Sequence, residues 1–204
     1  MNLWWLLIPI SYVLGTFPTA HIVAGLVGHD PTAEGSGNPG ATNVYRVAGK
    51  KAGAIVLIGD LLKGVAPSLV CFLIDGRTLA LAAGMAAMIG HVAPITRKFN
   101  GGKGVATYLG ILFALSYGLS FLFIFTWVTV SLIFRYSSLS SMFSSLTVLV
   151  VTLFRENAIK AIDPNFIFAT DIKLILFIFF ILIIFTHKKN ISNLINRTEQ
   201  KIKL

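Results

Sequence analysis

Twelve consecutive residues, Gly35-Ser36-Gly37-Asn38-Pro39-Gly40-Ala41-Thr42-Asn43-Val44-Tyr45-Arg46, combine dense glycine with polar side chains between two long apolar segments. Three glycines within six residues let the backbone take φ > 0 and turn its N–H groups into one concavity, a nest for an anion. The pattern predicts a helix starting here, with Asn38 as N-cap and Pro39 at the first helical position, where a missing N–H costs nothing. The free N–H groups and positive dipole end of that helix favour phosphate or carboxylate. Thr42 and Arg46 then share a face, with Asn43 beside it, and Arg46 can grip an oxyanion through two parallel hydrogen bonds. Taken alone, the glycines fit a plain connection between two spans equally well.

Three further polar clusters follow. They are Gly90-His91 with Arg97-Lys98-Phe99-Asn100-Gly101-Gly102-Lys103-Gly104, then Arg135-Tyr136 with Ser138, Ser140 and Ser141, then His187 with Asn190 and, further on, Glu199. Together the four clusters offer backbone N–H groups, two strong cations (Arg46, Lys103), hydroxyls (Ser36, Thr42, Ser138, Ser140, Ser141), amides (Asn38, Asn43, Asn190) and imidazoles (His91, His187). That inventory handles phosphate. Gly101-Gly102-Lys103-Gly104 is not a P-loop, because Arg97 stands where the first glycine belongs and Gly104 where a hydroxyl should meet magnesium. No metal site or cofactor is expected, since carboxylates are scarce around the clusters and no paired-histidine spacing occurs. There is no serine-hydrolase elbow, and the nearest approach to a His-x4-Asp acyltransferase pair, His29 with Glu34, ends in the wrong acid.

These clusters must be positioned by membrane spans. At 204 residues, 55% hydrophobic and 12% charged, with mean hydropathy +0.81, the chain is too apolar for a soluble domain of its size. Its net charge of +9 sits in short runs beside apolar blocks, the pattern of cytoplasmic flanks and not of nucleic-acid binding. Cys71, alone in an apolar run, can form neither a disulfide nor a thiolate metal site. The stretch from Asn2 to Val27 lacks a basic leader and a cleavage site, and reads as a retained span. The expected fold is an all-α integral membrane protein of seven transmembrane helices in one domain, 1–204. The spans fall at about 3–27, 52–74, 79–95, 105–117, 119–134, 142–154 and 172–186, with Gly15 and Pro18 kinking the first. The 30 charge-free residues from Val105 to Phe134 are too long for one comfortable crossing, so two spans meeting near Ser116-Tyr117-Gly118 are expected. That division gathers every polar cluster and twelve basic residues on one side, against Arg77, Arg155, Lys160 and Lys173 on the other. The rich side is then cytoplasmic, with the N-terminus outside and the C-terminus inside. The small residues Ala83, Gly84, Ala86, Ala87 and Gly90 predict close helix approach. Asp60 and Lys63, one turn apart within a span, read either as a structural ion pair or as support for the site.

The run from Gly35 to Arg46, Gly90-His91 with Gly101 to Thr107, Arg135-Tyr136 with Ser138 to Ser141, and His187, Asn190-Ile191 and Thr198-Glu199 resemble the bacterial acyl-phosphate:glycerol-3-phosphate acyltransferases. The resemblance covers essentially the whole chain, with four motifs in order. It implies transfer of a fatty acyl group from acyl phosphate to the 1-hydroxyl of sn-glycerol 3-phosphate, giving lysophosphatidic acid and phosphate in phospholipid synthesis. By that resemblance the catalytic residues are Ser36, Arg46, Lys103, Ser141, His187 and Asn190. Substrate contacts fall to Gly35, Gly37, Asn38, Gly40, Thr42, Asn43, His91, Gly101, Gly102, Ser138, Ser140 and Glu199. The first glycine loop with Ser36 holds the acyl-phosphate head, Arg46 and Lys103 hold phosphate groups, and Ser140 or Ser141, His187 and Asn190 line the glycerol phosphate. No protein base is implied. The implied setting is the inner (plasma) membrane, with the site facing the cytoplasm, membrane lipid around it and an acyl-phosphate-producing enzyme as partner. The chain departs from the family pattern in the residues 28–34, which carry no basic group apart from His29, at Asn100 in place of a lysine, and at Arg197 in place of a glycine.

Overall fold

A computed structural model describes residues 3–164 and 170–202, all helix and connection. It divides into two compact units, Met1–Leu115 and Ser116–Leu204.

In the first unit a 3₁₀ turn, Leu3–Leu6, leads into α1 (Leu7–Gly15) and α2 (Thr19–Gly25), separated at the Pro18 position expected to kink the first span. The chain is next helical over α3 (Ala41–Val92), whose regular geometry breaks at Gly49 (φ 87°) and at Asp75-Gly76 (φ −142° and 73°). Gly76 takes a left-handed conformation that a side chain would strain, which explains glycine in the turn. Residues 50–74 and 77–92 are thus the two arms of a hairpin. Cys71 clusters with Leu79, Ala80 and Ala83, the Gly84 backbone faces Ser68, and Asp60 lies opposite His91. The first arm turns Ile55, Ile58, Leu62, Leu69 and Leu73 outward while burying Val56, Asp60, Lys63, Gly64 and Ser68. That distribution, apolar outside and polar within, suits lipid as solvent.

Glycines set how closely these helices approach. A Cβ on Gly15 would overlap the Ala87 carbonyl, one on Gly90 the Tyr12 carbonyl, one on Gly64 the Thr107 carbonyl and one on Gly110 the Leu61 carbonyl. The first pair docks α1 on the second arm, and the second pair docks α4 (Val105–Leu115) on the first arm. Van der Waals contact at this range replaces the hydrophobic drive that lipid removes. Tyr12 adds a polar tie: its hydroxyl donates to the Ala93 carbonyl at 3.0 Å and accepts the Ile95 N–H at 3.1 Å.

The second unit holds α5 (Tyr117–Phe134), α6 (Ser137–Phe154), the short α7 (Glu156–Lys160), α8 (Thr170–Thr186) and α9 (Lys188–Ile195). The expected interruption near Ser116 is present: Ser116 is extended, accepts the Leu119 N–H and donates to Asp163 Oδ2 at 2.5 Å. Helix α6 starts five residues before the expected Met142, because the serine hydroxyls bond inside it. Ser140, Ser141 and Ser144 donate to the carbonyls of Tyr136, Ser137 and Ser140 at 2.7–2.9 Å. Part of the connection expected outside the membrane, residues 165–169, lies outside the described residues.

Among the described residues, four helical stretches are long and apolar enough to cross a membrane: Leu3–Gly25, Ala41–Arg97, Tyr117–Phe134 and Ser137–Phe154. The pair Ile172–Thr186 and Lys188–Ile195, bent by 58°, makes a fifth if taken as one span. The expected count of seven takes each arm of α3 as a span and adds the eleven-residue α4, which is shorter than these stretches. The chain is an all-α integral membrane protein.

Candidate active site

Residues 28–40 form a loop whose shape is held by a side chain from the helix that follows it. Asn43, 2% exposed, donates through Nδ2 to the carbonyls of Pro31 (2.8 Å) and Glu34 (3.0 Å), and its Oδ1 accepts the Ser36 N–H at 2.8 Å. Both its N–H donors and one lone pair of its oxygen go into the loop, so Asn43 is its organiser. Gly35 (φ 62°) and Gly37 (φ 73°) take the left-handed region, and a Cβ on Gly35 would overlap Asn43 Oδ1. These two glycines are therefore required on both conformational and steric grounds.

The start of the helix differs from expectation. Asn38 is not the N-cap and Pro39 is not the first helical residue. Gly40, extended at φ −136° and ψ 163°, caps the helix, and its carbonyl accepts the N–H groups of Asn43 and Val44 at 3.0 Å. The reason is a three-residue turn over Pro39, in which the Gly40 N–H donates to the Asn38 carbonyl at 2.9 Å and keeps Asn38 off the helix axis. Ala41 and Thr42 become the first two helical residues, and Thr42 and Arg46 still share a face. Ser36, Thr42 and Arg46 are all half-buried.

The loop also carries an acidic knot. Glu34 accepts the Asp30 N–H at 2.9 Å and lies 2.8 Å from His29 Nδ1, while Asp30 accepts both the N–H and the hydroxyl of Thr32. The Asp30 amide and then His29 hold the Glu34 carboxyl below the usual carboxylate range, and the two Thr32 bonds lower that of Asp30. Both acids are spent on the loop's own geometry.

The Gly101–Gly104 segment closes against the second arm of α3. Gly102 N–H donates to the His91 carbonyl at 3.1 Å, and Gly104 is left-handed at φ 79°. A Cβ on Gly102 would meet the His91 ring, so the backbone lies directly on the imidazole. Lys103 is half-buried and flanked by glycine on both sides. Thr16, Thr19, Asp60, Lys63, Arg97 and Gly102 are among the residues lining one cleft in this unit, together with His91 and Gly101. Within it the Thr19 hydroxyl and His21 Nε2 are buried with no hydrogen-bond partner among the described residues.

In the second unit Glu199 is a hub. Its Oε1 accepts from Ser138 Oγ (2.6 Å) and Asn190 Nδ2 (2.7 Å), and its Oε2 from Asn193 Nδ2 at 3.3 Å. The tail reaches this position because the Ile202 N–H donates to the Arg135 carbonyl at 2.7 Å. His187, 1% exposed, directs Nδ1 at the Ile183 carbonyl at 2.8 Å, which fixes its ring. Trp127 Nε1 donates to Ser141 Oγ at 3.2 Å. The structure therefore joins Ser138, Asn190 and Glu199 in one network, and places Ser140 with its hydroxyl on its own helix. Sequence reasoning missed Asn193 and Trp127. Asn193 stands three residues after Asn190 on one helix face, a spacing that points to it; Trp127 lies in an unbroken apolar run that does not.

The fold and these clusters define an α-helical integral membrane protein that gathers polar residues at the ends of its helices. Comparison with known proteins is specific. A family model described as "Glycerol-3-phosphate acyltransferase" matches residues 5–197. A protein of that description from Brucella suis is 43% identical over 193 residues, covering 94% of this chain and 90% of the relative. One from Coxiella burnetii is 40% identical over 197 residues, covering 96% of each. Among solved structures, the crystal structure of PlsY, described as an integral membrane glycerol 3-phosphate acyltransferase in its glycerol 3-phosphate form, matches with a TM-score of 0.89 at 31% identity. It covers 99% of this chain and 96% of that one. The lysophosphatidic acid form matches with a TM-score of 0.86. This chain belongs to the glycerol-3-phosphate acyltransferase family of the PlsY type, and it is an acyltransferase of lipid metabolism.

Proposed function

We propose that the loop of Gly35, Ser36, Gly37 and Asn38, with Gly40 and Thr42 at the helix start, holds the head of an acyl phosphate, and that Arg46 and Lys103 hold its phosphate oxygens. Ser141, His187 and Asn190, supported by Ser138, Ser140 and Glu199, take sn-glycerol 3-phosphate. The reaction is transfer of the acyl group to the 1-hydroxyl. The glycerol oxygen forms a bond to the acyl carbon, the bond from that carbon to phosphate breaks, and lysophosphatidic acid and phosphate leave. An acyl phosphate is already activated, so positioning and stabilisation of the departing phosphate supply much of the rate. A phosphate oxygen of the substrate takes the hydroxyl proton, which agrees with carboxylates committed to structure at Asp30, Glu34 and Glu199.

The observation that carries this reading is the loop itself: two left-handed glycines at the head of a helix whose second turn presents Arg46. The proposal extends to the membrane: seven spans, the N-terminus outside, the C-terminus and the site on the cytoplasmic side of the plasma membrane, and an acyl-phosphate-producing enzyme as donor of the substrate. The test is purified protein in lipid or detergent, given glycerol 3-phosphate with either acyl phosphate or acyl-CoA, with and without EDTA. Lysophosphatidic acid is expected with acyl phosphate only, and EDTA should leave the rate unchanged. Activity restored only by a divalent ion, or equal use of acyl-CoA, would overturn it.

A further inference from the structure

Asp60, Lys63 and His91 are 2%, 9% and 8% exposed, and they meet in the heart of the first unit. Lys63 Nζ lies 2.6 Å from Asp60 Oδ1, and His91 Nδ1 lies 3.7 Å from the same oxygen. A carboxylate within a membrane-spanning helix needs a partner, and Lys63 alone supplies one. Charge balance therefore leaves the third member, and the contacts the cluster makes beyond itself, without an explanation.

Those contacts run to one place. The Asp60 carbonyl accepts the Thr107 hydroxyl at 3.0 Å in the first turn of α4, three residues after Gly104. The His91 carbonyl accepts the Gly102 N–H, and the His91 ring floors the Gly102 backbone so closely that a Cβ there has no room. A Cβ on Gly101 would overlap the His91 and Val92 carbonyls in turn. Gly101-Gly102-Lys103-Gly104 is thus held before Lys103 by His91, and the helix turn that follows it is tied to the Asp60 carbonyl. Three glycines in four residues make this the segment with the most conformational freedom to lose. Lys103 is its one side chain.

We propose that Asp60, Lys63 and His91 form a positioning device that fixes the Gly101–Gly104 loop from beneath and so sets where the Lys103 ammonium meets phosphate. This rests on the reading of Lys103 as a phosphate-holding cation. None of the three touches the reacting atoms; they act through the loop. Bringing a cation to phosphate gains rate only if the loop is already in place, because a wandering ammonium must be ordered again in each turnover.

The experiment uses the full chain in detergent or lipid, with His91→Gln, Asp60→Asn and the doubly neutral Asp60→Asn/Lys63→Gln, each alone and combined with Lys103→Ala. Thermal unfolding, steady-state kinetics and amide hydrogen exchange are measured on all of them. Folded His91→Gln and the doubly neutral chain should lose about tenfold in kcat/KM, and the loss should shrink to less than about twofold once Lys103 is alanine. Exchange over 101–104 should accelerate while α6 is unchanged. Asp60→Asn alone leaves Lys63 as an unpaired buried charge. If it unfolds, the doubly neutral chain and His91→Gln carry the test, and the exchange reading stands where Lys103→Ala is too slow to assay. Equal losses on both backgrounds, or unaltered exchange over 101–104 in a folded His91→Gln, would overturn the positioning role. Near-parental kinetics for Lys103→Ala itself would instead overturn the reading of Lys103.

Discussion

Arg46 and Lys103 carry like charge and should fail differently when exchanged. A guanidinium grips phosphate through two parallel hydrogen bonds, whereas an ammonium is a compact point charge. Arg46→Lys keeps the charge and loses the fork, so a loss of about 1.5 to 3 kcal/mol in transition-state binding is expected, roughly ten- to a hundredfold in kcat/KM. Lys103→Arg should also be impaired, through crowding, because Gly102 and Gly104 both lie against neighbouring side chains. Folded Arg46→Ala and Lys103→Ala enzymes with parental kinetics for both substrates would sink the phosphate assignment. Glu199→Gln tests the second unit. The carboxylate accepts from Ser138, Asn190 and Asn193, whereas a carboxamide puts an N–H₂ donor where one of its oxygens accepts. The expected result is a rise in KM for glycerol 3-phosphate with that for acyl phosphate unchanged; an equal rise in both would mean a general structural role. Asn43 has a structural part that sequence alone does not show. Its amide donates to the Pro31 and Glu34 carbonyls, reached through an irregular loop that no periodicity describes.

At the scale of elements, the sequence marks Gly90 for close helix approach, and the structure adds Gly15, Gly64 and Gly110. Gly15 with Gly90, and Gly64 with Gly110, bring backbones into contact, and none of the four has room for a Cβ. Gly64→Ala should therefore destabilise the first unit by about 1 to 3 kcal/mol through overpacking against the Thr107 carbonyl. Gly25→Ala, where a Cβ meets nothing, is the control. Unfolding temperatures in one detergent compare them, and equal values would show that the crossing tolerates a methyl group. The break at Ser116 was legible because a charge-free run of that length exceeds one crossing, and the Asp75-Gly76 turn because it falls between the expected spans 52–74 and 79–95. The helix start at Ala41 was not, since Asn-Pro-Gly spells either a cap or a turn. The two readings differ only in whether the Gly40 N–H returns to the Asn38 carbonyl.

For the whole molecule, the strongest clue in the sequence was the one-sided distribution of charge, and its weakest point was long-range pairing. Ser138 and Glu199 are 61 residues apart, and Asp60 and His91 are 31, so their meeting depends on hairpins and a returning tail that composition does not encode. Sidedness yields the last prediction. If the twelve basic residues of the polar clusters mark the cytoplasm, reporters fused after Lys51, near Asn100 and at the C-terminus should all report cytoplasm, and one near Asp163 should report the outside. The division at Ser116 makes this a sharp test. Treating 105–134 as a single crossing would reverse the side of everything after it, exporting Ser138, His187, Asn190 and Glu199 together with the basic tail. Acyl phosphate and glycerol 3-phosphate must both reach the groups that hold them from one compartment. Reporters placing Asn100 and the C-terminus on opposite sides of the membrane would therefore refute the assignment of the two substrates to these groups, whatever the kinetics of the individual variants.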